Sequence, residues 1–149
     1  LATLGTTTNK TLVKGNPLTW EFKNTSTSVV PGSYVQFTTS DVEITIGGAP
    51  TGTKALGIGV VSYEHTHAQY KDGHTISSAF ADDDFVVVIL RGAGVLVKAQ
   101  VVANLYRGSV LTGQTSDDAL NTGTIGTSDV AGILMEDGPS AGLAKVLLL

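Results

Sequence analysis

The chain has 149 residues, no cysteine, a formal net charge of −4, a pI near 5.1 and only 15% charged residues. That length suits one domain, the lack of cysteine excludes disulfides, thiolate metal sites and a cysteine nucleophile, and nine thinly spread Lys and Arg provide no stripe to neutralise phosphates, so nucleic acid is not an expected partner. No apolar run reaches the roughly 18 residues a spanning helix needs, so no membrane partner is expected, and the opening stretch does not read as a secretory leader. Eighteen glycines and scattered threonines favour short strands and turns, so the expected class is all-β.

In chain order, residues 1–16 are Thr- and Gly-rich with few apolar positions, and read as an extended N-terminal arm ahead of a single β-barrel-like domain over 17–149. Such an arm either frays or adds a strand to a neighbour. Leu18 to Phe22 alternates apolar and polar, the period of a half-buried strand, with Trp20 as a core or subunit-interface anchor. After the Pro31-Gly32 turn, Tyr34–Thr38 and Val42–Ile46 read as two further strands, and Leu56–Tyr63 as another. His74–Phe80 reads as a short strand. Ala81-Asp82-Asp83-Asp84 reads as a solvated turn, because its carboxylates lack the spacing of a calcium loop.

Phe85–Ala99, FVVVILRGAGVLVKA, places two β-branched runs around Gly92-Ala93-Gly94 and is expected to fold as a buried central hairpin. Arg91 and Lys98, its two charges, are expected at edges or interfaces, since an unpaired buried charge is costly. Thr112–Asp129 reads as a long polar loop offering a contact surface. Val130–Glu136 and Leu143–Leu149 read as the last strands, with the closing residues buried.

Motifs for chemistry are weak. Gly47 and Gly52 have the glycine spacing of a phosphate loop, but Thr53 stands where Lys is required; Gly57 and Gly59 begin a dinucleotide fingerprint whose third glycine would be Ser62. His65 and His67, two apart on an extended segment, share a face and could hold one metal. With Gly59 they resemble the first motif of the cupins, metal-binding β-barrels, but Asp72 stands near the Glu position, Ala79 replaces the Gly, and no histidine follows His74. Histidines in a loop before the Lys71-Asp72-Gly73 turn are the plainer reading. No Gly-x-Ser-x-Gly elbow is present, and a catalytic triad has no recognisable context. No cofactor is expected. A metal-dependent cupin-like enzyme and a carbohydrate-binding or adhesive β-module stand as alternatives, the latter hampered by few aromatics for a sugar platform.

The order of motifs over residues 94–149 carries a resemblance. Gly108-Ser109-Val110-Leu111, then Val130–Glu136 (VAGILME), then a Gly-rich turn into Leu143–Leu149 is similar to the small β-barrel of tailed-phage-type capsid cement, or decoration, proteins, with Ser109 where that family carries an acidic residue. The resemblance implies a non-enzymatic virion protein on the outer capsid surface, commonly a homotrimer, whose partner is the major capsid protein and whose arm and loops bridge capsid subunits. It would place contacts at Leu4, Lys10, Leu12, Val13 and Lys14 in the arm, at Trp20, and at Thr112, Asp117 and Asp118 in the polar loop.

Overall fold

Short runs of Val, Ile, Leu and Thr separated by Gly-, Pro- and Asp-containing turns can hide their apolar faces only by pairing as strands. The computed structural model describes residues 11–38, 42–48, 57–63, 75–115, 117–123 and 129–149, and every regular element among them is a strand. The strands are β1 (Leu12–Lys14), β2 (Thr19–Asn24), β3 (Tyr34–Phe37), β4 (Glu43–Ile46), β5 (Gly57–Val61), β6 (Phe85–Leu90), β7 (Val95–Val101), β8 (Val110–Gln114), β9 (Asp117–Thr122), β10 (Val130–Leu134) and β11 (Gly142–Leu148). The all-β barrel expectation holds, in doubled form.

The first barrel closes in the order β2-β4-β3-β5-β6; the second sheet runs β1-β7-β11-β10-β8-β9, and a parallel pair between Val101 of β7 and Leu120 of β9 closes its five long strands. The two barrels share one topology. In each, the first and third strands pair in parallel, Asn24 with Ile44 and Val101 with Leu120, and every other pairing is antiparallel. The match extends to individual residues. Val35 pairs with Gly59 and Gln36 with Gly57, leaving Ile58 as an extra residue; Leu111 pairs with Gly132 and Thr112 with Val130, leaving Ala131 as the extra one. Gly32 and Gly108, at φ 86° and 88°, both open the turn into the second strand, and their amides donate to Val61 O and Leu134 O. A Cβ on Gly59 would collide with Ile89 O, and one on Gly132 with Leu147 O. The fold is therefore an internal duplication: β2 to β6 are repeated as β7 to β11.

This arrangement overturns the central hairpin. β6 pairs with β2 and β5, whereas β7 pairs with β11, β1 and β9, so Gly92-Ala93-Gly94 is the crossing between two barrels. Gly92 and Gly94 take φ of 105° and 68°, which suits a chain that must turn away from one sheet and enter the next. Each run does form a strand, but local pattern cannot tell a hairpin from two strands that each find distant partners. Phe85, at the start of β6, points out of the barrel and is exposed. The loop over Thr112–Asp129 is likewise replaced, in its described part, by the end of β8 and all of β9. Residues 75–80 contain a turn and no strand.

Part of the supposed arm belongs to the fold. Leu12 and Lys14 pair with Val97 and Leu96 of β7, Thr11 O accepts from Lys98 N, and the buried Thr11 hydroxyl accepts from Tyr63 N. Thr11 thus ties the two barrels together.

The core lies in two clusters. Phe22, Val29, Val35, Ile44, Val61, Phe80, Val86 and Val88 fill the first barrel. The second barrel's interior, with Val97, Ala99, Leu111, Leu120, Ala131, Leu134, Ala144, Val146 and Leu148, also takes in Tyr34, Val60 and Ile89 from the outer face of the first.

Candidate functional site

Where the barrels meet, the side chains of one repeat enter the other. Tyr34 projects outward from β3, and its ring lies over three positions without side chains: a Cβ on Gly48 or Gly113 would come within 2.7 Å of its Cε2, and one on Gly57 would strike the ring. Gly113 is the counterpart of Phe37 in the duplication. The second barrel leaves out a large residue there, and the ring of Tyr34 takes its space.

The Tyr34 hydroxyl donates to Asp129 Oδ2 at 2.9 Å and accepts from Arg91 Nη1 at 2.8 Å. Asp129 also accepts from Gly57 N at 2.6 Å and forms an ion pair with Arg91 through Oδ1, while Arg91 Nη2 donates to Val130 O. The Asp129 side chain is 0% exposed and that of Arg91 26%. Burial, then the charge of Asp129, pushes the Tyr34 hydroxyl far above its ordinary pKa, so it stays protonated and keeps donating. For Arg91, burial acts to lower the pKa, but Tyr34 and Asp129 together outweigh it and raise it. Every group of this cluster is committed to a partner within the chain. It is a latch between barrels.

Beside the latch, the first barrel opens into an apolar cleft of about 530 Å³, lined by Trp20, Phe22, Phe37, Gly57, Ile58, Leu90 and Arg91. It lies at the end where β2 and β5 begin and β3 and β6 finish. Phe22 and Phe37 meet edge to face, centroids 5.4 Å apart at 77°, and form its floor. Trp20 stands at the rim, 65% exposed, with Leu18 at 62% two residues before it. Among the described lining residues Arg91 is the one charged side chain, and it is already engaged by Asp129, so this lining is fitted to apolar side chains rather than to sugars or ions.

The residues proposed from sequence are placed as follows. Leu4, Lys10, His65 and His67 lie outside the described residues. Leu12 and Val13 are half-buried and Lys14 exposed, all on β1. Trp20 is solvent-facing and is therefore not a core residue. Thr112 is buried, its hydroxyl donating to Asn121 O at 3.1 Å, so it offers no contact surface. Asp117 is exposed and caps its own turn by accepting from Ala119 N, whereas Asp118 accepts from Ser33 Oγ at 2.9 Å across the barrel junction. Burial, partly offset by that hydrogen bond and reinforced by Asp117, raises the pKa of Asp118. Among the described residues no group of three or more His, Asp or Glu could hold a metal. Lys98 is half-buried on β7 and has a partner; Arg91 is paired across the junction.

The latch was the feature missed. Its signal was an Arg closing an apolar run and an Asp directly before another, each a charge placed where only a partner would make it tolerable. No family model matches the chain, and no curated protein matches it in sequence.

Proposed function

We propose that the chain is a structural virion protein that binds the outside of an icosahedral capsid and stabilises it by bridging neighbouring capsid subunits. The observation that carries this reading is the distribution of large apolar side chains in solvent. Leu18 and Trp20 flank the cleft; Val42 and Phe85 lie beside Lys23 at the other end of β2; Tyr106, 77% exposed, tops the turn before β8. Three separate exposed apolar spots on one small protein suit a molecule gripped by several neighbours, where many modest contacts act together. The likeness of Gly108–Leu111, Val130–Glu136 and Leu143–Leu149 to the decoration-protein barrel supports the same reading, as does a surface poor in charge.

The test is co-sedimentation of the full chain with purified heads of the phage that encodes it. Saturable binding and heads that survive heating or chelation longer are expected; no binding at saturating protein overturns the proposal. The arm is tested by deleting residues 1–10 only, because Thr11 and β1 are built into the fold. Undiminished binding by that variant removes the arm from the mechanism and leaves shell binding standing.

A further inference from the structure

The duplication leaves one docking pair used inside the chain and its equivalent unused. Tyr34, Val60 and Ile89 stand side by side on the outer face of the first barrel, Tyr34 opposite Val60 and Val60 opposite Ile89, and all three are buried with the interior of the second barrel. Their counterparts on the second barrel are Val110, Ile133 and Leu147, paired in the same register, with Leu96 extending the row on β7. These four apolar residues remain partly exposed. The mouth of the second barrel, by contrast, is covered: Val97, Ala99, Ala131 and Leu148 are buried, and the ring of Tyr34 lies over Gly113. The matching positions of the first barrel, Trp20, Phe22, Ile58, Leu90 and Phe37, line the open cleft.

We propose that a second copy of this chain docks there, setting its row of Val110, Ile133, Leu147 and Leu96 against the cleft of the first copy, and so repeating between molecules the packing that joins the barrels within one. The matching placement argues for this occupant: the row has the register of its buried counterpart, and the cleft occupies the positions equivalent to the covered mouth. Inside the chain a large residue of the row, Tyr34, meets a position with no side chain, Gly113. Between copies a small residue of the row, Val110, meets a large one, Phe37. The exchange is not volume-neutral, because the cleft carries Phe22, Phe37 and Ile58 where the mouth of the second barrel carries Ala99, Gly113 and Ala131, so the row of a second copy seats more shallowly than Tyr34, Val60 and Ile89 do. The ion-paired latch is not repeated, since Leu149 is the counterpart of Arg91, so the contact between copies is the weaker and more reversible of the two. It joins different surfaces of the two partners and is head-to-tail, closing into a ring or running on as a filament. This inference goes beyond shell binding and does not rest on it.

Sedimentation velocity of the full chain from about 1 μM to about 1 mM covers the affinities such an interface would have. The expected result is an average mass rising with concentration above the 15.3 kDa monomer. Trp20→Glu blocks the cleft and Ile133→Glu blocks the row; each alone is expected to stay monomeric while keeping its circular dichroism and melting temperature. Mixed one to one, they are expected to form a dimer and nothing larger, because only the row of the first and the cleft of the second remain. If Ile133→Glu fails to fold, Leu147→Lys blocks the same row. A wild-type chain that stays monomeric throughout, a blocked variant that still associates, or a mixture that yields no dimer each overturns the proposal. Self-association without head binding, or head binding without self-association, separates this proposal from the shell-binding one.

Discussion

The two barrels have the same strand order, the same extra residue in the fourth strand and the same glycine turn, yet they are filled differently. The first carries Phe22, Phe37 and Ile58 where the second carries Ala99, Gly113 and Ala131. The difference shows that a small barrel's interior is chosen together with its neighbour. The second barrel borrows Tyr34, Val60 and Ile89 to complete its core and keeps its side chains small at Ala99, Gly113 and Ala131, whereas the first fills those three positions itself and ends in an open cleft.

The asymmetry is most sharply broken at the latch, which occurs once. Asp129→Ala leaves Arg91, the Tyr34 hydroxyl and Gly57 N without their shared acceptor in a buried site, and is expected to cost about 3–5 kcal/mol in denaturant unfolding. Pairing it with Arg91→Met should recover part of that loss, because no unpaired charge then remains. The duplication itself is tested next, by Gly59→Ala and Gly132→Ala. Each drives a Cβ into a backbone carbonyl of the adjoining strand, so losses of about 2–3 kcal/mol are expected, and they should be alike if the repeats are equivalent. The turn glycines separate what the barrels do not share. Gly108→Ala meets open space and bears only the left-handed backbone, about 1–2 kcal/mol. Gly32→Ala adds a collision with Leu143 and the Lys98 carbonyl, so its excess loss measures how tightly the barrels are packed.

Most strands were legible in the sequence, and the reason is local: alternation at Leu18–Phe22, the β-branched run at Phe85–Leu90 and the apolar run at Leu143–Leu148 report burial without reference to partners. What could not be read was who pairs with whom. FVVVIL and VLVKA sit either side of a Gly-rich link whether they form one hairpin or, as found, join different barrels. The repeat left only a short trace, Gly-Ser, five residues, then Thr-Ser-Asp, beginning at Gly32 and again at Gly108. Its core positions had drifted in size, because Tyr34 allowed Gly113 and Phe37 did not need it. The site was less legible still: Trp20 stood out as a candidate contact residue, but the cleft behind it exists only once Phe22, Phe37, Ile58 and Leu90 are brought together from four strands.

The smallest effect lies at the seam between repeats, at Asp118. Burial places its folded-state pKa above the value it has in the unfolded chain, so the folded protein takes up the proton first as pH falls. Stability bears the cost of the buried charge at neutral pH, and that cost fades as pH drops through the raised pKa towards the ordinary carboxylate value, which is opposite in sign to a salt-bridged aspartate. Asp118→Asn removes the charge and keeps an oxygen to accept from Ser33 Oγ. A gain of about 1–3 °C in melting temperature is expected at pH 7, shrinking to nothing in acid. A loss at pH 7 instead would mean that the hydrogen bond from Ser33 to a charged acceptor outweighs the burial, and that the seam is held by charge as well as by the packing of Tyr34.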